Sequence, residues 1–170
     1  MNLFKKFLYI LIFFFLSINL SHSKEKLAFI NLDKILNTSN PGKVVLNDIK
    51  MINEKNVADL KKMESELKKN ENDLNNKKNI ISNEEFQKEL TLLREKIKKY
   101  NNLKDKMVTS FEEQRLKKLN NFFITINPII QKYMNDNSIN MLLEQKNVFI
   151  GKTSSDITDK IIVEINKSSK

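Results

Sequence analysis

The side chains that could do acid–base chemistry in this sequence are carboxylates in close pairs: Glu64 with Glu66, Glu84 with Glu85, and Glu112 with Glu113. Such pairs catalyse when unequal surroundings push their two pKa values apart. Here each pair lies in a lysine-rich stretch of helical periodicity, where both members meet the same solvent, so the expectation is a charged helix surface. The sequence holds no Cys, no Trp and a single His, His22. Nucleophilic cysteine, Ser-His-Asp arrangements, imidazole bases and the usual zinc, copper and haem sites all require those residues. Gly42 and Gly151 are the only glycines, which leaves no loop able to cradle phosphate. The residue inventory therefore predicts a protein that is not an enzyme, with no catalytic residues, no metal and no cofactor.

His22 itself falls in a segment with the pattern of an export signal. Lys5 and Lys6 lead, an unbroken apolar run follows from Phe7 to Leu16, and Ser21-His22-Ser23 offers small residues at both cleavage-determining positions. Cleavage after Ser23 is expected, which makes residues 1–23 a signal peptide and leaves Lys24 first. An uncleaved anchor is the alternative, but Phe7 to Leu20 is about 14 residues where spanning a bilayer takes about 20, so no stable transmembrane anchor is expected after cleavage. The formal charge is +9, and Lys5 and Lys6 are the only charged residues before Lys24, so the remaining chain carries +7. A net basic surface attracts acidic partners through a salt-sensitive field. Lys61-Lys62, Lys68-Lys69 and Lys98-Lys99 are interrupted by acids and lack interleaved aromatics, so nucleic acid is not expected as a partner.

The elements that carry these charges are long. From Val44 to Tyr133 there is no glycine and one proline, Pro128. Steps of three and four residues visit Leu46, Ile49, Asn53, Asn56, Leu60, Met63, Leu67, Asn70 and Leu74, then Phe86, Leu90, Leu93, Ile97, Tyr100, Lys104, Met107, Phe111 and Gln114. That spacing keeps one narrow stripe in register, and a narrow stripe seals against another helix rather than a broad core. The pattern breaks over Asn79, Ile80, Ile81, Ser82 and Asn83. Ser82 or Asn83 can cap a new helix with Glu84 and Glu85 in its first turn, and Glu85 stands at capping-box distance from Ser82. The chain is expected to reverse there, giving an antiparallel helical-hairpin arm over 44–115 with its tip near 79–83. At about 1.5 Å per residue, the roughly 35 residues from Val44 to Lys78 make an arm of about 50 Å. Beyond the arm the stripe widens through Leu116, Leu119, Phe122, Phe123, Ile126, Ile129, Ile130 and Tyr133, where a fuller burial is expected and Pro128 should kink the helix.

Residues 24–43 and 116–170 read as a small α/β body. Leu27 to Leu32 has strand propensity, Asp33 is a plausible cap for a brief helix through Ile35 and Leu36, and Asn40-Pro41-Gly42 punctuates the chain before the arm. Ile139–Leu143 and Val148–Ile150 are two strand candidates at hairpin spacing, with Gly151 ending the second. Ser155 or Asp156 can start a last helix with Ile157, Ile161 and Ile165 on one face and Ile162 beside them. So small a sheet is marginal alone, and identical bodies could cover one another's edges. The fold class is α+β, predominantly α: a long helical hairpin, a coiled-coil arm, attached to a small β-containing oligomerisation body.

At this point the sequence resembles the Skp/OmpH family of periplasmic chaperones. The matching residues are Lys26-Leu27-Ala28-Phe29-Ile30-Asn31-Leu32, then Asn127-Pro128-Ile129, then Asn147-Val148-Phe149-Ile150 followed by Ser155-Asp156-Ile157-Thr158. In layout the likeness covers essentially all of the chain after the signal. It implies a homotrimer whose strands build a barrel-like body with three helical hairpins around a cavity. It also implies a periplasmic holdase for unfolded outer-membrane proteins that works without ATP, preventing their aggregation before membrane insertion.

For such a role the residues suggest many weak contacts rather than one pocket. Off-stripe Met51, Val57 and Val108, with Ile80 and Ile81 at the tip, are the candidate client-contact residues, although closing the hairpin's end is the favoured reading of the two isoleucines. Asn53, Asn56 and Asn70 interrupt the first stripe and either loosen the arm or fix its register. A structural or tethering coiled coil of the cell envelope would use the same stripes. It would, however, form an extended rod with one fixed partner instead of a body with both chain ends in it.

Overall fold

A computed structural model describes residues 25–169. The expected signal peptide, 1–23, lies outside the described residues. The elements in order are β1 (Leu27–Ile30), α1 (Leu32–Thr38), α2 (Asn40–Lys77), α3 (Asn83–Asp136), β2 (Met141–Glu144) and α4 (Thr158–Ser168), with short 3-10 turns at Gln145–Asn147 and Thr153–Ser155. The fold is α+β and predominantly helical. Helices α2 and α3, of 38 and 54 residues, pack along one another. At 1.5 Å per residue they are about 57 and about 80 Å long.

Helix α2 begins four residues before the expected start at Val44. Asn40-Pro41-Gly42 is its first turn and not a break. Ser39 is the N-cap, its hydroxyl accepting from the Gly42 N–H at 3.2 Å, and proline suits the opening positions because its missing N–H has no helical partner there. Gly42 is demanded by a close approach: a Cβ at this position would lie 2.1 Å from the Leu36 carbonyl oxygen. Helix α1 is capped by Asn31, two residues earlier than Asp33, which lies instead in the first turn; the Asn31 side chain accepts from the Lys34 N–H at 2.7 Å. Asn31 precedes the first helical residue, the only place from which a side chain reaches those orphan N–H groups.

The reversal falls at 78–82. Ser82 caps α3, accepting from the Glu85 N–H at 3.2 Å, with Glu84 and Glu85 in the first turn. Helix α3 then runs unbroken through Pro128. Along the arm the seam keeps Leu46, Ile49, Asn56, Leu60, Leu67, Asn70 and Leu74 at least half-buried, facing Phe86, Leu90, Leu93, Tyr100, Met107 and Phe111. Five positions of the expected stripe are exposed: Met63, Ile97 and Gln114 lie at the margin of the seam or outside it, and at two more a neighbour takes the place. Asn53 and Lys104 are exposed, and their apolar neighbours Ile52 and Leu103 are the half-buried residues. The helix rotates by whichever neighbouring step puts the apolar side chain in the seam.

In the body, β1 and β2 form a two-stranded parallel sheet in the register Leu27 with Met141 through Ile30 with Glu144. The connection between these strands is the whole arm. The expected hairpin of Ile139–Leu143 with Val148–Ile150 does not form: Val148–Ile150 is not a strand, and Phe149 and Ile150 are fully or almost fully exposed. Strand propensity supplies no hydrogen-bond partner, and β2 instead pairs with β1. On the other edge of β1, Phe29 bridges to Asp156, with its carbonyl accepting from the Ile157 N–H at 3.1 Å. The last helix starts at Thr158, later than Ser155 or Asp156, because Ser155 ends a 3-10 turn and Asp156 is held extended against β1. The core joins Ala28 and Ile30 of β1, Ile35 of α1, Phe122, Ile126 and Ile130 of α3, and Ile157, Ile161, Ile162 and Ile165 at and within α4. Leu116, expected in the widened stripe, is exposed.

Candidate functional site

Met51, Val57, Val108 and Ile80 are 60, 55, 56 and 80% exposed, whereas Ile81 is half-buried with its N–H bonded to the Lys77 carbonyl at 3.1 Å. The tip thus separates its two isoleucines, one turned outward and one folded against the end of α2. The five residues do not converge on a single pocket: Met51 and Val57 lie on α2, Val108 on α3, and the isoleucines in the turn. They are scattered apolar points on a charged surface.

Ion pairs lock the hairpin near its two ends. Lys77 reaches Glu89 at 2.9 Å beside the tip, and Lys118 reaches Asp48 at 2.8 Å near the root. The hydrogen bond to Glu89, and then the Glu89 charge, hold the Lys77 ammonium above the ordinary lysine value of 10.5. The Lys132 and Lys146 ammonium groups are raised in the same way by Asp136 and Glu144. Among the described residues, no three His, Cys, Asp or Glu side chains are grouped so as to hold a metal ion, and no helix is long and apolar enough to cross a membrane.

The body carries a surface that sequence reasoning did not isolate. Side chains alternate along a strand, so Ala28 and Ile30 face the core while Leu27 and Phe29, with their partners Met141 and Leu143, share the opposite face. That face is apolar and open: Leu27, Met141 and Leu143 are 49, 53 and 39% exposed. The turn bearing Val148 and Gly151 reaches the Phe29 ring, and next to it stand the exposed Phe149 and Ile150. The alternation was readable in Leu27 to Ile30, but which alternate residues meet the helices was not.

A buried polar node closes the body. Thr158, 1% exposed, accepts from the Asn31 N–H at 2.9 Å and donates to the Asp156 carboxylate, which also accepts from the Thr158 N–H at 2.9 Å. Asn31 in turn donates to Gln145 at 2.7 Å. The node brings the start of the described chain to its last helix.

A model of the family described as outer membrane protein (OmpH-like) matches residues 26–165. The chain belongs to the OmpH-like family. No curated protein sequence matches it. Among solved structures, the OmpH-like chain is similar in fold to a candidate outer membrane chaperone (OmpH-like) from Caulobacter crescentus CB15. The TM-score is 0.79 at 19% identity, covering 85% of each chain. The node residues and both body strands lie inside the stretch that the family model matches.

Proposed function

We propose that this OmpH-like chain, after removal of residues 1–23, is an ATP-independent periplasmic holdase that binds unfolded outer-membrane proteins before their insertion. Its working form is a homotrimer, in which the bodies cover one another's open sheet faces and the arms surround a client. Residues 24–43 and 116–170 serve as the body and 44–115 as the arm. The observation that carries this reading is a long charged hairpin standing off a small body whose outer sheet face is apolar and open. Parallel sheets are ordinarily covered on both faces, so the face of Leu27, Phe29, Met141 and Leu143 calls for a cover. Identical faces on sister copies have the matching chemistry, and the exposed Phe149 and Ile150 extend the same contact.

The arms supply weak, exchangeable contacts: Met51, Val57, Val108, Ile80 and Ile81 touch apolar client segments, and the basic excess attracts acidic ones. The test dilutes a urea-unfolded outer-membrane barrel protein into buffer and follows light scattering. Stoichiometric mature chain should suppress scattering with no nucleotide present, and suppression should weaken from low to moderate salt. Undiminished scattering, or a requirement for nucleotide, contradicts the reading.

A further inference from the structure

Half-way along the arm the seam opens into a groove of about 250 Å³ between α2 and α3. Its apolar lining is Met63 and Leu67 from α2 with Tyr100 and Leu103 from α3. Lys96 and Lys99 also line it, one turn apart on α3, and neither makes an ion pair or side-chain hydrogen bond among the described residues. Glu66 is the only carboxylate of the lining, so the groove keeps an excess of positive charge. Asn70 closes the lining at its tip end with a polar side chain at a seam position.

We infer that this groove is a discrete client subsite, taking one aromatic side chain from an extended segment that carries acidic residues beside it. The inference rests on the holdase reading and deepens it. Size sets the first limit: a cavity of about 150 Å³ holds benzene, while small-molecule and cofactor pockets run from about 300 to 1,000 Å³. A volume between these fits one aromatic ring and not a cofactor. Chemistry sets the second: Tyr100 offers ring-to-ring contact and Met63 a sulfur for an aromatic edge, both of which favour an aromatic over an aliphatic guest. Charge sets the third, since Lys96 and Lys99 lack acidic partners of their own and meet carboxylates flanking the ring.

The experiment uses the full mature chain and two labelled peptides. One carries a photo-reactive phenylalanine analogue between two carboxylates, and its counterpart has the carboxylates replaced by amides. The double variant Lys96→Glu/Lys99→Glu changes exposed side chains only. It should bind the acidic peptide about fivefold more weakly and the amide peptide unchanged, and cross-links in the wild-type chain should map to Met63, Leu67 or Leu103. Equal affinity for the acidic peptide, or cross-links confined to other parts of the arm, overturns the proposal. So does displacement of the peptide by phosphatidylglycerol vesicles whose binding is lost in the same double variant, because the groove would then belong to lipid. Failure of the holdase reading looks different: the wild-type chain would leave the barrel protein aggregating, whereas failure of the subsite leaves that suppression intact.

Discussion

Ser138 stands in the left-handed region, with φ 53°, directly after α3. The Ile139 N–H bonds the Met134 carbonyl at 2.9 Å and the Ser138 N–H bonds the Asn135 carbonyl at 3.2 Å, the double closure of a Schellman motif. Glycine is the usual occupant because it has no Cβ to strain. Ser138→Gly should therefore stabilise the fold by about 0.5–1 kcal/mol, read as a higher denaturation midpoint with unchanged slope. Gly42 is the opposite case. Gly42→Ala should cost about 1–3 kcal/mol despite alanine's better helix propensity, because its methyl would collide with the Leu36 carbonyl; an unchanged midpoint would contradict the close approach. At this scale the sequence was legible where one residue type has one strong use, as with Ser82 capping α3. It was misread where two residues compete. Asp33 and Asn31 are both good caps, and only the position of the β1 exit decides between them. Asn40-Pro41-Gly42 contains two breakers, yet Ser39 ahead of it was the sign of a helix beginning.

The arm, as an element, is fastened near both ends and open in the middle. The Lys77 and Glu89 pair is exposed, so its effect is small and is best read as a difference between variants. Because the Lys77 pKa is raised in the fold, the contribution is fully present below the ordinary lysine value and lost as pH rises through the folded value. The melting-temperature gap between wild type and Glu89→Gln should thus be constant from pH 7 to 9 and shrink as pH rises beyond the ordinary lysine value of 10.5; a gap that widens there would contradict the assignment. The hairpin itself was legible because a narrow stripe broken by a capping sequence has few other solutions. Its exact seam was not: Ile52 and Leu103 replace Asn53 and Lys104 through one-residue rotations that a fixed three-four count cannot express. The Val148–Ile150 expectation failed for a different reason. Apolar β-branched and aromatic residues there do suit a pleated surface, but Gln145–Asn147 folds as a 3-10 turn and the chain beyond it runs to the Phe29 ring, where Gly151 lies, instead of back along β2.

At the scale of the whole molecule, the chain doubles back at 78–82, and β1 and α4, at its two ends, meet through Asn31, Asp156 and Thr158. A rod-like tether would hold those ends apart. Four of the five residues named as candidate client contacts are exposed, while the mid-arm groove and the open sheet face were not legible, because both depend on which faces meet across many residues. The proposed assembly encloses an unfolded client and must gain its mass, so the decisive experiment is native mass measurement of the mature chain, alone and mixed with an unfolded outer-membrane barrel protein. The proposed holdase should give three copies alone and three copies plus one client in the mixture, with Leu143→Arg/Phe149→Glu reducing the assembly to single chains. A mature chain that stays monomeric, or a trimer whose mass never gains a client, would contradict it.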